Sequence, residues 1–279
     1  MIKKISYILY SFIKFLDTIF VLITKKSFLV WFKEFLQNDS YKTLEILNKK
    51  IKFFIPSEVI EWRVNTFFTK EPETLEWIDS FNTKDKTIFW DIGANVGLYS
   101  CYAAKKRCCR VLSFEPSVFN LRQLAKNISV NSLSKKITII PNPLSNRTGI
   151  APFINSSADE GGALNAFGVN YGHDGEEIEN QVEYSVLGFS LDDLLLQNII
   201  TEPPSIIKID VDGIEDLILS GATKTLAADS CKSVYIEVND DFLELAENIK
   251  KNLENAGFSL IEKRQSEIFS NSELFSTTY

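Results

Sequence analysis

The stretch Phe89-Trp90-Asp91-Ile92-Gly93-Ala94-Asn95-Val96-Gly97 decides how this chain folds. A short apolar run leads to an acid and a glycine-bearing turn, and a helical pattern begins at Val96. This order is typical of a parallel strand that passes into a helix beside a nucleotide-type cofactor. Glycine lets the backbone approach a ligand closely, and the helix start offers unpaired N–H groups to an anion.

The glycine spacing narrows the choice of ligand. A dinucleotide site reads G-x-G-x-x-G, whereas this turn reads Gly93-x-x-x-Gly97. A second strand-like run ends at Glu115, where a carboxylate is placed to bind the hydroxyls of a ribose. Asp91, before the turn, is placed to meet an amino group. Ribose, amine and carboxylate describe S-adenosylmethionine (SAM) better than NAD. The alternatives are a different nucleotide, or a strand–turn–helix without a ligand.

Composition limits the partners and the compartment. The chain has 279 residues, 45% of them apolar, which fits one domain with extensions or two small domains. Its net charge of −7 argues against a nucleic-acid-binding surface as the main function. Cysteines stand at 101, 108, 109 and 231 beside a single histidine, and this spacing predicts no metal site. Free thiols in a reducing cytoplasm are the simplest account.

Residues 1–25 combine a broad apolar face with a narrow, lysine-containing polar stripe at helical spacing. Lys14 and Asp17 interrupt the segment, which argues against a transmembrane span. One interpretation is peripheral contact with the inner face of the cell membrane. The others are a helix docked on its own domain or on a partner, and a true span. We place a helical extension at residues 1–42 and one domain at 43–279.

Strand-like and helix-like segments alternate along the rest of the chain. This alternation predicts an α/β fold with a doubly wound, mainly parallel sheet. Residues 154–180 are polar and glycine-rich, and so long a loop is usually functional or mobile. Predicted strands cover 43–55 (two strands around a turn near Asn48), 87–91, 111–115, 137–140, 185–189, 205–210, 234–238 and 258–261. Predicted helices cover 57–80 with a break before Pro72, 96–105, 117–131 with Ser117 as its cap, 191–195 and 242–256.

Polar residues stand where the predicted core strands end. They are Asp91, Glu115, Asn142, Asp210 and Glu237. Ligands of doubly wound sheets bind beyond the carboxyl ends of the strands. We therefore expect these side chains to converge on one site.

The fourth core strand runs directly into Asp210-Val211-Asp212-Gly213-Ile214-Glu215. Acids at this place suit a general base, or a grip on a hydroxylated substrate. Alternatively, Asp212 caps a helix that starts at Ile214, or the Asp-x-Asp pair binds a metal. His173, in the glycine-rich loop, is either a general base over the site or a solvated side chain.

Taken together, these residues resemble the FkbM-type SAM-dependent methyltransferases over roughly residues 45–279. Asp212 departs from the family, which usually has glutamate there, and Asn146 stands where an acid is usual. The matching segments are Glu71-Pro72-Glu73-Thr74, Asp91-Ile92-Gly93-Ala94-Asn95-Val96-Gly97, Phe114-Glu115-Pro116, Leu144-Ser145, Phe189-Ser190-Leu191-Asp192-Asp193, Ile207-Lys208-Ile209-Asp210-Val211-Asp212-Gly213, Gly221-Ala222 and Ile236-Glu237.

The resemblance implies a seven-stranded, Rossmann-like class I methyltransferase sheet. It also implies SAM-dependent O-methylation of a hydroxyl on a sugar, a glycan or a related secondary metabolite, as in polysaccharide biosynthesis. The cofactor residues that it implies are Asp91, Gly93, Asn95 and Gly97 for the methionine end, Glu115 for the ribose, and Asn142. The residues that would face the acceptor are Asp210, Asp212 and His173.

Two other classes of function are compatible with the sequence. A nucleotide-sugar oxidoreductase or epimerase should show the three-glycine turn and a Tyr-x-x-x-Lys pair, and no such pair stands where a catalytic one is expected. The second is a membrane-docked subunit that binds SAM without catalysis. The intact acids at the strand ends argue against that interpretation.

Overall fold

The computed structural model describes residues 1–46, 49–81, 86–178, 182–265 and 273–279. The predicted turn near Asn48 lies outside these residues. The chain divides into two compact units, Met1–Lys42 and Thr43–Tyr279.

The unit Met1–Lys42 contains the helices α1 (Ile2–Thr24) and α2 (Leu29–Asp39). Large apolar side chains of α1 are exposed, with Phe12 at 59% and Phe15 at 61% of their full area. Within the described residues, α1 is the helix that is long and apolar enough to cross a membrane.

Asp17 is the exception on α1, because it is buried. Its carboxylate caps the start of α2 and accepts hydrogen bonds from the Ser27 hydroxyl at 2.8 Å and the Phe28 backbone N–H at 2.7 Å. The charge therefore satisfies orphan donors at a helix N-terminus instead of facing solvent. Asp17, which argues against a membrane span in the sequence, therefore caps α2 in the structure.

The strands of the larger unit begin with β1 (Tyr41–Ile46), which continues from the smaller unit. They go on through β2 (Lys49–Phe54), β3 (Ile88–Ile92), β4 (Arg110–Phe114), β5 (Ile137–Ile140), β6 (Gly149–Asn155), β7 (Asn165–Phe167), β8 (Val182–Gly188), β9 (Ile206–Ile209), β10 (Ser233–Asn239), β11 (Glu262–Gln265) and β12 (Leu274–Thr278). The main sheet has seven strands in the order β11-β12-β10-β9-β3-β4-β5. The five from β10 to β5 are parallel, and β12 is antiparallel to both of its neighbours. The predicted doubly wound, mainly parallel seven-stranded fold is therefore confirmed.

The helices that follow the N-terminal pair are α3 (Glu58–Asn65), α4 (Pro72–Ser80), α5 (Leu98–Tyr102), α6 (Val118–Val130), α7 (Leu191–Leu196), α8 (Glu215–Ser220), α9 (Thr223–Leu226) and α10 (Leu243–Asn255). Ser57 caps α3 by accepting from the Ile60 N–H, and Ser190 caps α7 in the same way. The predicted helix at 96–105 is shorter than expected, because a π-helical turn replaces its second half.

Both faces of the inner parallel strands β4, β3 and β9 are buried, which explains their continuous apolar runs. Phe89 and Trp90, neighbours on β3, belong to two separate core clusters; Val111 packs in the cluster with Phe89, and Leu112 in the cluster with Trp90. From β3 the chain adds β4 and β5 on one side and later β9 and β10 on the other. The strand order thus switches between β3 and β9, and a ligand crevice opens at that point.

Three predictions of local structure are wrong. The stretch 154–180 is not all loop, because β7 lies in it and pairs with the unpredicted β6 in a small antiparallel sheet with β8. The predicted strand 258–261 is irregular, and the edge strand is instead β11, whose four side chains are all exposed. Ser117 stands at the start of α6 without capping it, because its hydroxyl bonds to the Asn155 side chain at 3.0 Å.

Candidate active site

The glycine turn after β3 lies against other parts of the protein. Gly93 has φ of 82°, and a Cβ there would stand 1.8 Å from the Asp210 carbonyl oxygen. Gly97 also has φ of 82°, and its Cβ would come within 2.3 Å of a Leu124 methyl group. Both positions therefore require glycine for the chain's own packing, in addition to the ligand approach predicted from the sequence.

Glu115 follows β4 and is almost completely buried. Its two carboxylate oxygens accept backbone hydrogen bonds from Asn95 at 2.7 Å and Ser117 at 2.8 Å. Burial raises the pKa of Glu115 to about 7, although these N–H groups favour the charged form. The turn after β3 and the end of β4 are thus joined through one carboxylate.

Asn95 occupies the turn in the left-handed region, with φ of 49°. Its side-chain oxygen accepts from the Val96 N–H, and its side-chain nitrogen donates to the Gly162 carbonyl at 3.0 Å. Asn tolerates this conformation better than most residues, because its amide bonds locally. Asn95 therefore ties the cofactor-type turn to the distant loop 161–165.

Loop 161–165 has two further anchors. Asn120 on α6 accepts from the Gly161 N–H at 2.8 Å and donates to the Gly162 carbonyl at 3.2 Å. The Leu164 N–H donates to Asp212 at 2.7 Å. Leu164 itself has φ of 59°, a strained conformation for a leucine. The loop is therefore fixed across the end of the sheet.

A first cavity opens beyond the ends of β3, β4 and β9. It has an apolar wall with carboxylates at one side, a combination that suits an adenosine, with its flat base and ribose hydroxyls. Asn142 is in this wall and donates from its side chain to the Leu187 carbonyl at 2.9 Å. The residues that line it include Gly93, Asn95, Phe114, Glu115, Asn142, Phe153, Phe167, Asp210 and Asp212.

Asp91 lies beneath the turn and is buried. One oxygen accepts from the Ser100 hydroxyl, and the other has no hydrogen-bond partner among the described residues. Burial raises the pKa of Asp91, and the nearby Lys208 ammonium opposes that shift. Asp91 does not line the first cavity, although the next two residues, Ile92 and Gly93, do, and its contact with a cofactor amino group remains a prediction.

A second cavity meets the first at four residues, Gly93, Asn95, Asp210 and Asp212. It is more polar than the first and is flanked by aromatic side chains. Its other functional residues are Trp62, Arg63, Phe67, Lys70, Glu71, Tyr99, Leu164, His173, Lys208 and Glu237. The two predicted acids after β9 therefore stand where the cavities join.

Asp210 is held by two neighbours. The buried Lys208 ammonium lies 2.5 Å from its carboxylate, and the Glu237 carboxyl group also bonds to it. Burial would raise the pKa of Asp210, but Lys208 outweighs it and keeps this pKa below its usual range. Burial and the Asp210 charge raise the pKa of Glu237 well above its usual range. Of the two acids, Glu237 is therefore the weaker and Asp210 the stronger.

Asp212 is not a helix cap, and that alternative is wrong. Ile214 precedes α8 instead, and the Glu215 carboxylate accepts from the N–H groups of Val211 and Gly213. Asp212 has φ of 65°, and one of its oxygens accepts from Leu164. Burial and the Asp210 charge raise the pKa of Asp212.

His173 lines the second cavity together with Asp212. Its carbonyl accepts from the Asn239 side chain at 3.0 Å, which fixes the backbone of the loop. Its buried Nδ1 atom has no partner among the described residues. Over the same residues, no group of three or more His, Cys, Asp or Glu side chains could hold a metal ion.

Lys208, Glu71 and Arg63 are site residues that the sequence reasoning did not select. A signal existed for Lys208, because a lysine inside the apolar strand Ile206–Ile209 needs a buried partner. Tyr99 bonds to Glu71 at 2.8 Å, and Glu71 forms an ion pair with Lys70. Tyr99 is on α5, whereas Lys70 and Glu71 follow α3. No local sequence pattern indicates that these two parts of the chain meet.

Comparison with known proteins identifies the family. Residues 91–260 match the family described as "Methyltransferase FkbM domain", which is more than half of the chain. The chain belongs to this family. It is therefore a SAM-dependent methyltransferase, and the predicted family, enzyme class and cofactor are confirmed.

The hexuronic acid methyltransferase AglP of Haloferax volcanii is a relative with 24% identity over 195 residues, or 70% of this chain and 73% of AglP. The crystal structure of methyltransferase FkbM from Methylobacillus flagellatus has 19% identity and a TM-score of 0.47. The match covers 70% of this chain and 44% of that one, so the chain spans less than half of its length. Aeropyrum pernix fibrillarin with bound SAM has 11% identity and a TM-score of 0.49, and the match covers 86% of this chain and 82% of that one.

Proposed function

We propose that this methyltransferase transfers a methyl group to a hydroxyl of a sugar or glycan. The observation that carries the proposal is the junction of two cavities at Asp210 and Asp212. One cavity has the groups that an adenosine needs, and the other is polar with aromatic sides. A methyl donor in the first and a hydroxyl in the second would meet beside two acids.

The residues of the first cavity fit SAM. The Glu115 carboxylate suits two ribose hydroxyls, while Phe114, Phe153 and Phe167 offer apolar surface to an adenine. Gly93 and Asn95 line both cavities, and we assign them to the methionine end. When bound, SAM supplies a methyl group that its positive sulfur has already activated.

Asp212 is the general base in this proposal. One of its oxygens is fixed by the Leu164 N–H, which leaves the other for the hydroxyl of the acceptor. Its raised pKa brings it closer to the operating pH, as an efficient base requires. As the acceptor oxygen bonds to the methyl carbon and the carbon–sulfur bond breaks, Asp212 takes the hydroxyl proton.

Asp210 has a positioning role. Its carboxylate already accepts from Lys208 and Glu237, and its lowered pKa makes it a poor base. It anchors the wall between the cavities and orients the hydroxyl. His173 is the second candidate for the proton, because it lines the same cavity and its buried Nδ1 has no partner among the described residues.

The acceptor class rests on the second cavity and on one relative. Trp62 and Tyr99 offer flat apolar surfaces, against which sugar rings pack, among groups that bond hydroxyls. AglP, named as a hexuronic acid methyltransferase, supports a sugar acceptor.

The test is methyl transfer from isotope-labelled SAM to a panel of free sugars, nucleotide sugars and glycans. We expect a labelled methyl ether on a sugar hydroxyl, identified by mass spectrometry and NMR. Transfer to a nitrogen or carbon acceptor, with every hydroxylated sugar left unlabelled, would refute the proposal.

We also propose that Met1–Lys42 holds the enzyme on the cytoplasmic face of the membrane. Its support is the exposed apolar surface of α1, together with seven lysines against three acids in this unit. Apolar side chains enter the lipid boundary, and lysines attract anionic headgroups.

A further inference from the structure

Two lysines of the second cavity are already neutralised. Lys70 forms an ion pair with Glu71, and Lys208 forms one with Asp210. Neither ammonium is available to a charged ligand without breaking a pair inside the protein.

Arg63 on α3 is different. Its Nε donates to the Gly161 carbonyl at 2.9 Å, and within the described residues no carboxylate lies at ion-pair distance from its guanidinium. Ile60 and Val64, on the same helix, are buried, and Arg63 itself is partly exposed and lines the second cavity. The bond to loop 161–165 fixes the plane of the guanidinium and leaves its two terminal nitrogens for a ligand.

We propose that Arg63 recognises a negatively charged group on the acceptor, so that the acceptor is an anionic sugar. This inference rests on the proposed function and adds the charge of the substrate. A planar guanidinium binds a carboxylate or a phosphate through two parallel hydrogen bonds. A neutral hydroxyl has one oxygen and no charge, and it cannot take the place of such an anion. The anion is either a sugar carboxylate or a phosphate ester on the sugar.

The carboxylate of SAM is the competing ligand for Arg63. Arg63 lines the second cavity, whereas Glu115 and the apolar wall lie in the first, which places Arg63 on the acceptor side. The experiment therefore measures cofactor affinity and sugar affinity separately.

The experiment titrates sugars into the full chain loaded with S-adenosylhomocysteine, by NMR. The probes are methyl glucuronoside, glucose 1-phosphate and methyl glucoside as the neutral match. We expect at least one charged probe to bind roughly tenfold or more tightly than methyl glucoside. Tighter binding of methyl glucuronoside would indicate that Arg63 recognises a carboxylate, and tighter binding of glucose 1-phosphate would indicate a phosphate.

Arg63→Gln should remove the preference for the charged probe and leave SAM affinity unchanged. Arg63→Lys should keep part of this preference, because lysine has the positive charge but lacks the planar guanidinium. Arg122→Gln is the matched control, because Arg122 is 65% exposed and pairs with Glu160 outside both cavities. Melting curves of all variants check folding.

Equal binding of charged and neutral probes would overturn the inference, and so would Arg63→Gln that weakens SAM instead of the sugar. Failure of the proposed function looks different. Charge-selective binding without methyl transfer to any sugar would support the Arg63 site and refute the proposed function. Methylation of neutral sugars without charge selectivity would support the proposed function and refute the Arg63 site.

Discussion

Asp210 and Asp212 are two residues apart, yet the pKa of one is lowered and that of the other is raised. The difference comes from partners. A buried ammonium lies against Asp210, while Asp212 has backbone N–H groups and the charge of Asp210 nearby. At the scale of residues, environment thus separates a positioning acid from a base.

Asp212→Asn should bind SAM normally and transfer the methyl group at least about a hundredfold more slowly, because a lost general base typically costs about 10²–10⁴ in rate. Single-turnover transfer at saturating SAM is the measurement. Asp229→Asn, at an exposed position, is the control for an acid-to-amide change. Near-normal turnover in Asp212→Asn would move the search for the base to His173.

Glu115 gives a pH dependence that works in two directions. Its pKa of about 7 in the folded protein exceeds its usual value of 4.5, so its contribution to folding is complete below about pH 4.5 and declines as the pH rises through 7. The ionised carboxylate, however, is the better acceptor for ribose hydroxyls. SAM affinity should therefore rise between roughly pH 6 and 8.

Glu115→Gln should flatten both trends and weaken SAM binding by roughly tenfold or more. Titration calorimetry between roughly pH 6 and 8 measures the SAM affinity, and urea unfolding at these two pH values measures the stability. Glu215, whose pKa is also about 7, shares the stability decline, so a part of that slope should remain. A variant with wild-type affinity at every pH would remove Glu115 from the cofactor site.

At the scale of elements, the turn between β3 and α5 is fitted against β9. Gly93→Ala should destabilise the protein by about 2 kcal/mol or more, because the new Cβ meets the Asp210 carbonyl at a positive φ. Gly149→Ala is the matched control, since a Cβ there meets nothing within 4 Å, and its change should stay within about 0.5 kcal/mol. Equal unfolding midpoints for both variants would contradict this packing.

How far the sequence predicts an element depends on where its partners lie. The parallel core strands are apolar runs bounded by turns, so each was predictable from its own residues. β11 has four exposed side chains and carries no apolar pattern, and β6 and β7 are recognisable only from their pairing, β6 with β8 and β7 with β6. For the same reason the acids at the strand ends were predictable, whereas the contact of Asp212 with Leu164, which lies 48 residues away, was not.

At the scale of the molecule, Met1–Lys42 differs in charge from the rest of an acidic chain. The full chain should sediment with phosphatidylglycerol vesicles more than with phosphatidylcholine vesicles, since each lysine near an anionic surface contributes about 1 kcal/mol. Deleting residues 1–40, which removes both helices and leaves β1 whole, should abolish sedimentation and keep SAM affinity.

The matched variant replaces Lys3, Lys4, Lys14 and Lys25 with Gln, which keeps the apolar face and should remove the preference for anionic lipid. A truncated chain that is insoluble, or that no longer binds SAM, would show that the segment belongs to the packing of the enzyme.

Asn95, Asn120 and Asp212 hold loop 161–165 where the two cavities meet. This anchoring should affect how fast the products leave the enzyme. We expect spent cofactor to leave after those bonds open, since such openings often limit the turnover of well-adapted enzymes. The first methyl transfer should then be fast, and every later one should wait for release. Rapid-quench kinetics would record this as a burst of methylated product followed by a slower steady rate, while a linear trace from the first turnover would show that the loop does not control the pace.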